Sequence, residues 1–150
     1  MSGIKRIMAA IAFSKYSQSI LEYSANMASD LNAELVVAHV INVKYVEAIS
    51  SVESMGYNVN TSEFLENLKK ERTEELKGLM KNINFPDERL RAVFKTGNPF
   101  AKLLDLIQSE GVDLVIMGAK GLSDLQHILL GSVTEKIIRH SPVPVLVYRR

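Results

Sequence analysis

Apolar, strand-like runs take turns with helical patterns along the whole chain. That alternation predicts an α/β fold, a single domain over residues 1–150 built on an open, parallel, five-stranded sheet with four helices covering its two faces. Several of the runs are near-continuously apolar, as strands buried on both sides are. The fourth, with Val112, Leu114, Val115 and Ile116, leads straight into a glycine loop. Ligands of such sheets bind at the carboxyl ends of the strands, so that loop is where function is expected.

Ile4 to Ala12 is the first run, where Ile7, Met8 and Ile11 suit a buried strand and Lys5 and Arg6 its exposed start. Ser14 to Asn32 then carries Ile20, Ala28 and Leu31 near one helical face, and Leu35 to Val43 is a second strand rich in β-formers. Lys44 to Asn60 has no clean period and contains Ser50, Ser51, Gly56, Asn58 and Asn60. It reads as a loop with one helical turn. Asn60 or Thr61 opens a long charged helix in which Leu65, Leu68, Leu76, Leu79 and Ile83 keep roughly helical spacing, and its many Lys and Glu residues read as a solvated outer face.

Pro86 ends that region, and Arg89 to Lys95 is a short strand with Leu90, Ala92 and Phe94 on one side. Asn98 as cap, Pro99 in the first turn, and Phe100, Leu103, Leu104 and Ile107 at helical spacing before Gly111 define the next helix. After the fourth strand and its loop, a helix is expected from Ser132 to Arg139 and a final strand from Val143 to Tyr148. Proline cannot donate to a sheet ladder, so Pro142 and Pro144 mark that strand as an edge that needs cover.

The loop reads Met117-Gly118-Ala119-Lys120-Gly121, a spacer, then Gly131-Ser132-Val133. Glycines let backbone N–H groups converge on an anion, and a helix opening at Ser132 adds unpaired N–H groups and a positive dipole end. Phosphate binding is one reading of this arrangement. In the other, Gly118 and Gly121 only turn the chain, and Ser132 caps the helix with Glu135 completing a capping box.

Composition narrows the function classes. A chain of 150 residues with 47% hydrophobic content suits one domain with a sizeable core. A net charge of +1 with interleaved signs offers no field for nucleic acid or an anionic membrane. No apolar run approaches the roughly 20 residues that span a bilayer, and no signal-peptide pattern opens the chain, so a cytoplasmic protein is expected. With zero cysteines there is no disulfide or thiol chemistry. His39, His127 and His140 lack metal-ligand spacing, the first strand ends without a Gly-x-Gly-x-x-Gly turn, and Ser132 is not in a Gly-x-Ser-x-Gly elbow. No catalytic constellation emerges.

Gly118-x-x-Gly121, nine residues, then Gly131-Ser132 resembles the phosphate loop of the universal stress protein family in its ATP-binding branch. Asp113 to Gly118 and Ser141 to Val147 look like that family's fourth and fifth strands, and the similarity covers nearly the whole chain. The resemblance implies a Rossmann-like sheet of the adenine nucleotide alpha hydrolase type, with strand order 3-2-1-4-5. It implies ATP or AMP as ligand, with magnesium held through the phosphates. Gly118, Gly121, Gly131, Ser132 and Val133 become ribose and phosphate contacts, with Met117 and Lys120 beside them. Ile11, Ala12, Val40 and Ile41 fall where the family lines its adenine pocket, though as residues they read equally as ordinary core. Many family members carry an aspartate at the position of Ala12. The resemblance further implies a homodimer through the last strand, with Val143, Val145 and Val147 at the contact, and a regulatory role in stress response. Two other classes stand beside it: a dimeric stress-response module that binds no nucleotide, and an ATP-consuming enzyme of related fold.

Overall fold

The structure is a computed structural model and describes residues 3–119 and 130–149. Its strands are β1 (Arg6–Ala10), β2 (Glu34–Asn42), β3 (Leu90–Gly97), β4 (Leu114–Gly118) and β5 (Val145–Tyr148). Its helices are α1 (Ser17–Asp30), α2 (Val43–Ser54), α3 (Thr61–Lys81), α4 (Pro99–Ser109) and α5 (Ser132–His140), and one 3-10 turn, Asp87–Arg89, precedes β3. All pairings are parallel and the order is β3-β2-β1-β4-β5, as expected.

Strand alternation sorts the core into two layers. Ile7, Ala9, Leu35, Val37, Leu114 and Ile116 face α1 and α3, meeting Ile20, Leu21, Ala25 and Leu76. Met8, Ala38, Val115 and Met117 face the other way, onto Leu103, Leu106 and Ile107 of α4 and Ile137 of α5. In register, Ala9 lies between Val37 and Ile116, so β1 is central and its residues Ile7, Met8 and Ala9 are wholly buried.

The helix ends follow their sequence signals. Asn98 Oδ1 accepts from the Ala101 N–H at 3.0 Å and Pro99 fills the first position of α4. Gly111, at φ 62°, turns the chain from α4 toward β4 in the left-handed region that glycine enters without strain. Asn32, at φ 53°, does the same after α1.

At the amino ends of the strands, polar side chains fasten neighbours together. Asp113 Oδ2 accepts from the N–H groups of Lys5 and Arg6 at 2.9 and 3.0 Å, and Arg6 Nε donates to Glu34 Oε2 at 2.8 Å. The first residues of β1 are thus held to those of both flanking strands.

One expected element is corrected. The segment from 44 to 60 is not mostly loop, because twelve residues, Val43–Ser54, form α2, which brings the helices among the described residues to five. The run toward Val43 reads as one continuous strand, but Asn42 ends it by capping α2: its Oδ1 accepts from the Lys44 N–H at 3.0 Å. Val43, Val46 and Ile49 form only a half-buried stripe, and no residue of α2 is buried, so its period is faint in sequence.

Candidate functional site

A cleft of about 320 Å³ opens at the carboxyl ends of β1, β2 and β4, where the strand order reverses between β1 and β4. From β1 and the turn after it come Ala10, Ile11, Ala12 and Ser14. The end of β2 supplies Ala38, His39, Val40, Ile41 and Asn42, and β4 supplies Met117 and Gly118. Ser132, Val133 and Thr134 of α5 form one wall, while Tyr45 of α2 with Leu68 and Arg72 of α3 form another.

Eight of the residues expected at a site therefore line one cavity: Ile11, Ala12, Val40, Ile41, Met117, Gly118, Ser132 and Val133. Ile11 and Ile41 are also buried, so they are core and wall at once. Gly131 stands just behind the wall. Its N–H donates to the Ala119 carbonyl at 2.6 Å, which brings the two ends of the glycine loop together. Lys120, Gly121 and His127 lie outside the described residues.

The start of α5 is held against β4. Thr134, buried, donates through Oγ1 to the Gly118 carbonyl at 2.8 Å. Gly131 is the N-cap, in an extended conformation, and its carbonyl accepts the first helical bond from the Glu135 N–H at 3.0 Å. Ser132 is consequently the first residue of the helix and does not cap it, and Glu135 pairs with Arg139 at 2.8 Å, so the capping box of the alternative reading is not formed. The leading N–H groups of α5 have no acceptor within their own helix and sit at the positive end of its dipole, beside the cleft.

The opposite wall has charge that the sequence reading missed. Arg72 is the one charged side chain among the described residues of the cleft wall, which holds no carboxylate. Beneath it, His39 is buried, its Nδ1 2.7 Å from the Ile11 carbonyl and its ring edge-on to Phe13 and Phe94 at 4.5 and 5.9 Å. Burial pushes the His39 pKa below its ordinary 6.5; the bond to Ile11 opposes that shift and the Arg72 charge adds to it. Arg72 itself had a signal: Leu68, Arg72 and Leu76 recur every four residues, which places a cation on the apolar stripe of α3. Tyr45 and Asn42 had none, since α2 went unread. Among the described residues no group of His, Asp or Glu side chains is arranged to hold a metal ion, and no helix is long and apolar enough to cross a membrane.

An open parallel sheet with helices on both faces and a cleft at the switch point of its strand order is the doubly wound class of α/β protein. The particular family is also clear: this chain belongs to the universal stress protein family, whose sequence profile matches residues 3–149. It is 32% identical to the universal stress protein MJ0577 of Methanocaldococcus jannaschii, over 97% of this chain and 95% of that one. It is 27% identical to YxiE of Bacillus subtilis, over 96% and 98%. The solved structure of MJ0577 superposes with a TM-score of 0.81 at 29% identity, covering 98% of this chain and 96% of the other. A universal stress protein solved in complex with cAMP shares the fold with a TM-score of 0.61 at 20% identity, covering 99% and 98%.

Proposed function

We propose that this universal stress protein binds one nucleotide, ATP or AMP, in the cleft and acts as a dimeric regulatory module in stress response. The observation that carries this reading is the opening of α5 onto the cleft beside Gly118, at the Gly131-Ser132 pair of the motif. Phosphates sit at the leading N–H groups of α5, with the Ser132 hydroxyl donating to one of them. Gly118, Gly121 and Gly131 let the backbone approach, and Lys120 offsets phosphate charge. The ring of the base lies toward Ile11, Ala12, Val40 and Ile41, with Met117 and Val133 between base and phosphates. Magnesium arrives with the phosphates, held by them and by water. The cAMP complex of a protein with the same fold is a ligand of the same class.

Calorimetric titration of the nucleotide-stripped protein with ATP and magnesium tests this directly. The expected result is saturable binding near one nucleotide per chain without turnover. Absence of binding by a folded dimer moves the chain to the module that acts without nucleotide, and product formation with an added acceptor makes it an enzyme.

The dimer forms through β5, an edge strand of the sheet. Val143, Val145 and Val147 lie at that edge, and pairing with a second copy covers it. Sedimentation at micromolar concentration is expected to show a dimer, and a monomer alone rejects this contact.

A further inference from the structure

Of the helices that line the cleft, α2 alone has no buried residue. A half-buried stripe and a side-chain tie at each end hold it. Asn42 Oδ1, accepting from the Lys44 N–H at 3.0 Å, joins its start to the end of β2, and Glu53 Oε2, accepting from the Thr61 N–H at 3.0 Å, joins its end to α3. An element that buries so little apolar surface sits at the low-stability end of a fold, from which elements that close on ligands are drawn. Asn42 and Tyr45 nevertheless place α2 at the cleft, since both line it.

Two aromatic side chains occur among the described residues of the cleft wall, and they differ in what they offer. His39 is 6% exposed, bonded to Ile11 and edge-on to Phe13 and Phe94, so its ring is taken up by the fold. Tyr45 is 49% exposed and takes part in none of the ring contacts among the described residues. A large aromatic side chain left open to water at a cleft is stabilised by a planar group that covers it.

We propose that α2 is a flap over the nucleotide: the ring of Tyr45 stacks on the base and docks the helix against it. This rests on the nucleotide reading above, in which the base lies toward Ile11, Val40 and Ile41. Those residues line the cleft from the strand ends and Tyr45 lines it from α2, so the base has an apolar floor and an aromatic cover. Stacking asks only for a π-face, so Tyr45 holds the base without reading its edge. Because α2 buries so little of its own, occupancy of the cleft is felt along the helix as far as its clasp to α3. An empty site leaves α2 loosely held, and a loaded one fixes it.

The test is a titration of the full chain, stripped of nucleotide, with magnesium ATP and with adenosine, for wild type, Tyr45→Ala and Tyr45→Phe, followed by amide hydrogen exchange with and without saturating ATP. Melting curves establish that the variants fold. Tyr45→Ala is expected to weaken ATP and adenosine alike by about tenfold, and Tyr45→Phe, which keeps the ring, is expected to bind as wild type does. ATP is expected to slow exchange across α2 in wild type and to lose that effect in saturated Tyr45→Ala. Unchanged affinity in Tyr45→Ala, or α2 exchanging equally with and without ATP in wild type, overturns the proposal and leaves the nucleotide reading intact. So does a loss confined to ATP, which would put Tyr45 on the phosphates, or an equal loss in Tyr45→Phe, which would put the contact on its hydroxyl. No binding of ATP by wild type overturns both readings.

Discussion

The Nδ1 of His39 lies 2.7 Å from the carbonyl oxygen of Ile11. A carbonyl can only accept, so Nδ1 carries the proton and the bond fixes the tautomer of a neutral ring. It also ties the end of β1 to β2 beneath the cleft.

A pH dependence follows. Burial lowers the His39 pKa in the folded chain below the ordinary 6.5, so between 6.5 and that lowered value the unfolded chain binds a proton that the folded chain does not. Stability is therefore full above pH 6.5 and falls as the pH drops below it. His39→Asn keeps a donor near the Nδ1 position and removes the titration. The melting temperature of wild type is expected to fall more steeply than that of the variant between pH 7 and pH 5 (roughly the window where a shifted histidine titrates). Parallel profiles would reject His39 as the source.

Thr134→Val removes the hydroxyl that joins α5 to the Gly118 carbonyl and keeps the side-chain shape. It is expected to cost about 1–2 kcal/mol in denaturant unfolding. Nucleotide affinity is expected to weaken with it, because the start of α5 loses its tie to β4.

Ser132→Ala tests the phosphate contact. Affinity for ATP is expected to drop about tenfold, with adenosine unaffected. Gly131→Val, which blocks close approach of the helix start, is expected to abolish nucleotide binding while circular dichroism shows the fold retained. Unchanged affinity in either folded variant would remove that residue from the phosphate site.

Glu53, near the end of α2, accepts from the N–H of Thr61 at 3.0 Å and from its hydroxyl, and these bonds hold its carboxyl below the usual range. The bonds clasp α2 to the start of α3 at neutral pH and are lost as the pH falls through that lowered pKa. Glu53→Gln is expected to speed amide hydrogen exchange in α2 at pH 7 and leave the rest of the sheet unchanged. Equal exchange in variant and wild type would show that the half-buried stripe alone holds the helix.

The inner strands β1, β2 and β4 were legible because they are largely apolar on both faces, and α4 because Asn98, Pro99 and Gly111 punctuate it. Strand order came from resemblance and agrees with the observed pairing. The glycine motif located one wall of the cleft, and of its two readings the one that made Ser132 a cap is not realised, since a serine at the first helical position and one at the N-cap look alike in sequence. The opposite wall was not legible. Arg72 does not stand out among the many charges of α3 although its spacing from Leu68 and Leu76 places it on the inner stripe, and α2 buries too little to print a period.

The sheet is bound along one margin. Asp113, Arg6 and Glu34 stitch the beginnings of β1, β2 and β4, whereas the cleft opens at the other ends of the same strands. Like a book sewn at the spine, such a sheet opens at its fore-edge.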